Sequence, residues 1–300
     1  MNDAQRRGDS QLSVDVSVIV PVRNDPDGIA RCLASLLDQS YPRERYEVIA
    51  VDNDSTDDTA AAIRSHTVIY AHAARRSSYA ARMTGARLAR GAVLAFIDAD
   101  CWAERHWLRA GYDASSRADG GPIVAGQVVV RTTDPPGVCE LYDCMKAARQ
   151  RAFVRRGFGA TANLFVTRAT FDRVGGFHET LVSGGDFEFG RRAIALGIAV
   201  SFCPTAIVYT RARASIEAIL RRSARLGYGA GQVEGMPGWT PPAPPGVFQS
   251  NRDLLLEAGL GEPTLRQDVG LYVLRMLATL AGIAGKLEAA GRLSWRLRDQ

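Results

Sequence analysis

The sequence predicts an α/β fold, a mostly parallel β-sheet with helices on both faces, followed by a C-terminal helical extension. Short apolar runs rich in β-branched residues alternate with stretches of helical periodicity from Val14 onward, the pattern of repeated βαβ units. Asn24, Asp52, Asp98 and Asp100 each stand just past one of the apolar runs. In sheets of this kind ligands gather at the carboxyl ends of the strands. After Thr210 the texture changes to helical patterns broken by a proline-rich stretch.

Each element follows from its own residues. Val14–Val20 (VDVSVIV) reads as a buried strand that ends at Pro21, and Asp27–Asp38 carries Ile29, Leu33, Leu36 and Leu37 at helical spacing. Glu47–Val51 is a second strand. Ser55 and Asp57–Asp58 open the next helix, where side-chain oxygens and negative charge suit free N–H groups. Val68–Tyr70 is a short third strand, Ser78–Leu88 an alanine-rich helix, and Ala92–Ile97 (AVLAFI) a fourth strand. Further on, Ile123–Val130 and Ala162–Thr167 read as strands, with a helix over Gly137–Arg151 between them. Gly184–Gly185–Asp186 opens a helix that runs through Leu196, and Val200–Cys203 and Ala206–Tyr209 are two short strands. Ser215–Leu226 is a basic amphipathic helix carrying Arg221, Arg222 and Arg225. Met236–Gly246 (MPGWTPPAPPG) is a loop or linker, and Arg252–Gly259 and Leu265–Leu297 are helical. Residues 1–13 read as a disordered tail, 14–210 as the main domain and 211–300 as the extension.

Composition limits the function classes. An apolar fraction of 46% excludes a disordered chain. The net charge of +5 is carried almost wholly by arginine, since Lys146 and Lys286 are the only lysines. Beside a plain solvated surface, such a bias suits phosphate-bearing substrates or an anionic membrane; no nucleic-acid partner is expected. Five cysteines without a C-x-x-C pair read as reduced thiols. The N-terminal residues lack the apolar core of a signal peptide. Leu271–Ile283 (LYVLRMLATLAGI) is nearly continuous apolar sequence, too short to cross a bilayer. It suits a buried docking helix, a contact between copies in a homo-oligomer, or an interfacial helix with Lys286, Arg292, Arg296 and Arg298 on anionic lipid. The expectation is a cytoplasmic protein, soluble or peripheral at the inner face of the membrane.

Three constellations can carry chemistry. Asp98-Ala99-Asp100 ends a buried strand, and carboxylates spaced i, i+2 there can hold a hard divalent cation. Asp52-Asn53-Asp54-Ser55-Thr56-Asp57 also follows a strand; N-capping accounts for Ser55 and Asp57, whereas Asp52 is free to accept from a base N–H. In Gly184-Gly185-Asp186-Phe187-Glu188, a carboxylate behind two glycines can serve as general base on a hydroxyl or as an N-cap.

Read in order, these segments resemble the inverting family 2 glycosyltransferases of GT-A fold, a Rossmann-like architecture. The resemblance runs through Val18–Asn24, Ser35–Pro42, Val51–Asp57, Tyr79–Ala86, Phe96–Asp100, Asn163–Phe165, Val174–Phe177 and Gly185–Glu188, and covers Val14 to Tyr209. It implies a nucleotide-sugar half over 14–100 and an acceptor half over 101–210. Pro21, Val22, Asn24, Asp52, Arg82, Asp98 and Ala99 would line the donor pocket, with Asp100 and Asp98 on Mn²⁺ or Mg²⁺. Asp186 would be the catalytic base, and Asn163, Gly185, Glu188 and Arg211 would stand on the acceptor side. The donor would be a nucleotide diphosphate sugar, UDP-linked by preference; the acceptor class (glycan, lipid-linked sugar, natural product or peptide) is open. Three positions depart from the family pattern: Met83 replaces an Asn, Gly185 stands in the usual E-D pair, and Thr210 falls where a His is common. Arg211 or Arg213 can supply the positive charge such a His would give. A dehydrogenase would need G-x-G-x-x-G after the first strand, and Pro21–Pro26 is not that. A catalytically inactive nucleotide-binding or scaffold relative is the other alternative, against which the joint presence of Asp98, Asp100 and Asp186 speaks.

Overall fold

The computed structural model describes residues 14–116, 123–147, 150–237 and 250–291. The expected tail at 1–13, most of the proline-rich stretch and the last turns of the final helix lie outside these residues. Eight strands form one sheet in the order β3-β2-β1-β4-β7-β6-β8-β5. Strands β1 (Val16–Val22), β2 (Tyr46–Asp52), β3 (Ile69–His72) and β4 (Val93–Ile97) pair in parallel through helices α1 (Pro26–Leu37), α2 (Thr59–Arg64) and α3 (Ser78–Leu88). Strand β1 runs two residues beyond its expected end at Val20, through Pro21 to Val22. Its pairing with β4 ends at Ile19, so a residue without an N–H is tolerated there.

Alternation along these strands splits the core between two faces. Val18, Val20, Ala95 and Ile97 pack under α1 with Ile29, Leu33 and Leu36. Ile19, Leu94 and Phe96 face the other way, onto Phe171, Phe177 and Phe189. Helix α4 (Trp107–Ser116) and strand β5 (Cys101–Ala103) were not legible in the sequence. The strand has only three residues, and Gly111 blurs the helical pattern. That glycine is needed, because a Cβ there would fall 2.0 Å from the Phe165 ring.

The sheet changes direction past β4. Strand β7 (Asn163–Thr167) is antiparallel to both β4 and β6 (Ile123–Arg131), while β8 (Val200–Arg211) runs parallel to β6 and antiparallel to β5. The expected helix over Gly137–Arg151 is two helices, α5 (Val138–Ala147) and α6 (Gln150–Arg155), and α7 (Arg168–Val174) follows β7 directly. The two short strands expected near Cys203 form one, β8, whose register shifts opposite Gly126/Gln127 and accommodates Pro204.

Helix α8 (Gly185–Ala195) precedes β8, and the extension adds α9 (Ile216–Glu234), α10 (Asn251–Glu257) and α11 (Leu265–Ala289). Helix α9 continues eight residues beyond the expected end at Leu226, straight through Gly227, Gly229 and Gly231. These glycines admit neighbouring backbone. A Cβ on Gly227 would lie 1.9 Å from the Gly282 carbonyl, and one on Gly229 2.4 Å from that of Ser183. Helix α9 is thus clasped between α11 and the turn that starts α8. Leu271, Leu274 and Ala278 of α11 bury against Leu141 and Met145 of α5, Ile219 of α9 and Leu254 and Leu255 of α10.

Candidate active site

Two loops at the carboxyl ends of β1 and β2 are laced together. Asn24 sits at φ 51°, a left-handed conformation that Asn tolerates. Its Oδ1 accepts the Thr56 N–H at 2.9 Å, and its own N–H donates to Ser55 Oγ at 3.0 Å. Ser55 therefore does not cap α2, as the sequence suggests; Asp57 serves that first turn by accepting from the Thr59 N–H at 3.1 Å. Asp52, buried at the end of β2, accepts from the Ser55 N–H at 3.0 Å and the Tyr70 hydroxyl at 3.3 Å. Each of its oxygens retains a further lone pair for a ligand. Pro21 and Val22, the last residues of β1, are buried.

The second group follows β4. Ala99 is tucked into the core, so its flanking carboxylates turn outward, with the side chains of Asp98 and Asp100 38% and 48% exposed. Arg82, buried on α3, is ion-paired through Nη2 to Asp98 Oδ1, and its Nε is buried without a hydrogen-bond partner among the described residues. The same guanidinium lies 5.3 Å from the centre of the Tyr79 ring. The Tyr79 hydroxyl is 3.4 Å from Asp186 Oδ1 and accepts the Asp186 N–H at 3.2 Å. Asp98, Arg82, Tyr79 and Asp186 thus form one continuous chain from the strand end to the start of α8. Burial pushes the Asp186 carboxyl above the ordinary carboxylate range, against the pull of the Phe187 N–H and of Arg82.

Helix α8 is not N-capped by Asp186. Gly184, at φ 78°, holds the cap position and Asp186 falls in the first turn. Gly185 lies against the Tyr79 ring, and a Cβ there would be 2.8 Å from it. The departure at 185 therefore has a steric reason: Tyr79 fills the volume an acidic side chain would need.

A third group closes the cleft from the second half of the chain. Thr210 Oγ1 donates to the Asp100 carbonyl at 3.4 Å. Arg213 reaches to 3.7 Å from Asp100 Oδ2 and is anchored on Asp143 of α5, which accepts its backbone N–H at 3.0 Å and its Nη1 at 3.2 Å. Asp143, 1% exposed, also binds Arg222 of α9 at 2.6 Å. Of the two arginines the sequence offers, Arg213 is the one beside the carboxylates; Arg211 is exposed at the end of β8. Asp143 carries no signal in the sequence, and Tyr79, though inside the resembling Tyr79–Ala86 stretch, gives no sign there of its contact with Asp186. The Asp100 carboxyl keeps an open face, yet the protein packed around it and then the neighbouring Asp98 push it toward the protonated side, against the pull of Arg213.

With this geometry in place, comparison with known proteins decides the family. Residues 17–177 match the model of glycosyl transferase family 2. The chain belongs to glycosyl transferase family 2. The glycosyltransferase AglE of Haloferax volcanii is 35% identical over 225 residues, 73% of each chain. A Methanococcus voltae protein named dolichyl N-acetyl-α-D-glucosaminyl phosphate 3-β-D-2,3-diacetamido-2,3-dideoxy-β-D-glucuronosyltransferase is 22% identical over 233 residues, 72% of each. Among solved structures, the mannosyltransferase PcManGT of Pyrobaculum calidifontis, determined with GDP-Man and Mn²⁺, has a TM-score of 0.54 at 22% identity, covering 97% of this chain and 82% of its own. These relatives make the protein a glycosyltransferase of GT-A-like fold.

Two acceptor-side expectations for this family 2 glycosyltransferase fall elsewhere. Asn163 is fully buried inside the sheet, donating to the Gln127 and Ala206 carbonyls at 2.9 and 2.8 Å and accepting from Trp107 Nε1 at 2.9 Å. Its polar atoms are consumed in satisfying the β8 register shift. Glu188 is buried in an ion pair with Arg192 at 2.6 Å, with His178 at 3.4 Å, and so braces α8 against the Gly175–Gly176 turn. No cluster of three or more acidic, His or Cys ligands exists among the described residues. The donor set at Asp98 and Asp100 is all carboxylate oxygen, which fits Mg²⁺ or Mn²⁺ completing its shell with water and substrate phosphate.

Proposed function

We propose that this glycosyltransferase moves a sugar from a nucleotide diphosphate donor to an acceptor hydroxyl with inversion, with Asp186 as general base and Asp98 and Asp100 on the donor side. The observation that carries it is the unbroken contact from Asp98 through Arg82 and Tyr79 to Asp186. That contact supports a single site in which Asp98 would serve the donor and Asp186 the acceptor. Asn24, Asp52 and Val22 would hold the nucleoside, and Arg82 and Arg213 would face the diphosphate, where a fixed guanidinium suits phosphate oxygens. Asp98 and Asp100 would hold a divalent cation, which supplies positive charge to the departing diphosphate. The acceptor oxygen forms its bond to the anomeric carbon as the bond from that carbon to the diphosphate breaks, and the hydroxyl proton passes to Asp186. A lipid-linked saccharide is the acceptor class we favour, on the name of the Methanococcus voltae relative.

Calorimetric titration with UDP, GDP, dTDP and CDP, each with and without Mn²⁺, tests the donor side. UDP is the expected ligand, and a GDP preference would follow the mannosyltransferase neighbour instead. Asp100→Ala is expected to abolish the Mn²⁺ dependence. Asp186→Asn should retain nucleotide binding while transfer falls by about 10³-fold, the scale of a lost general base. If no nucleotide binds under any condition, the reading fails.

A further inference from the structure

Helix α11 buries one side against α5, α9 and α10 and leaves the other bare. On the bare side stand Leu265, Val269, Tyr272, Met276, Leu280 and Ile283, from 47% exposed at Tyr272 to 82% at Leu265. Their spacing of three or four residues puts them within an arc of roughly 80° over a length of about 27 Å. No Asp, Glu, Lys or Arg falls inside that arc. Arg266 flanks it on one side; on the other stand Asp268 and Lys286, the latter paired to Glu234 of α9 at 2.7 Å. Past residue 291 the chain continues Arg292, Trp295, Arg296 and Arg298 against the single acid Asp299.

We propose that this face docks on an anionic phospholipid bilayer, with α11 lying in the interfacial plane. An exposed apolar stripe with Arg266 beside it, followed in the sequence by three arginines and a tryptophan against one acid, suits the interface of such a membrane. By length and composition alone α11 could cross a bilayer. Its packed side forbids that arrangement, because Leu271 and Leu274 are sealed into protein and α9 beneath carries the Asp143–Arg222 pair.

Flotation of the full chain with vesicles tests this, using phosphatidylcholine alone and an equal mixture with phosphatidylglycerol. The protein is expected to float with the mixed vesicles, weakly with phosphatidylcholine, and less in high salt. Met276→Glu combined with Leu280→Glu should reduce partitioning by about tenfold or more. These positions are 59% and 57% exposed, so the variant should keep the wild-type melting temperature and nucleotide affinity. Failure to float with either vesicle overturns the proposal, as does unchanged partitioning of the double variant. A stable dimer in sedimentation that the same substitutions dissociate would assign the face to a second copy.

Discussion

Tyr79 and Gly185 are a matched pair, since the ring occupies the volume that any side chain at 185 would need. The ring in turn presents its hydroxyl to Asp186, whose carboxyl burial has pushed up. A base must be ionised to accept a proton, so kcat/KM should rise with pH through this raised value. Tyr79→Phe removes an O–H donor to the carboxylate and should shift that limb to higher pH, read from a pH–rate profile, with nucleotide affinity little changed. The same shift has a stability sign. The native state holds the Asp186 proton more tightly than the unfolded chain, so its contribution to stability falls as pH rises from the unfolded to the native value. Asp186→Asn should therefore melt no lower than wild type at neutral pH, the pattern of a residue kept for chemistry.

Among the elements, the α9–α11 contact depends on residues too small to read as a helix face. Gly285 faces the Ala224 carbonyl, with a Cβ position 2.0 Å from it, and Gly227 faces Gly282. Gly285→Val must push the helices apart and is expected to cost about 2 kcal/mol in chemical denaturation, with earlier proteolysis of the extension. The glycines also set the limits of sequence reading here. They suggest a helix end at Leu226, whereas the structure uses them to bring two backbones together. Strands β1, β2, β4, β6 and β7 were legible because each is apolar and bounded by turn residues. Strand β5 and helix α7, at three and seven residues, are too short to show a period.

Across the whole molecule, Asp143 joins the extension to the cleft. It holds Arg222 of α9 and Arg213 from beyond β8, and Arg213 leans on Asp100. Asp143→Ala would leave two guanidiniums without their buried counter-charge. Both keep some contact with water, so a loss of about 3 kcal/mol in denaturation is expected, near the low end for a broken buried pair. The sequence displayed Asp52, Asp98, Asp100 and Asp186, each beside a strand end or glycine turn that advertises it, whereas Arg82, inside α3, came only through the resemblance of Tyr79–Ala86. It could not display Asp143, whose partners lie 70 and 79 residues away, nor the consumption of Asn163 by the interior of the sheet. The interposed position of α9 has a consequence for reach. With α11 docked on a bilayer as proposed, α11 and α9, each about 10 Å thick, would be what separates the lipid from the turn that carries Asp186 among the described residues. With the lipid-linked acceptor proposed above, transfer would then be confined to the sugars nearest the anchor, and the ends of long chains would lie beyond its grasp.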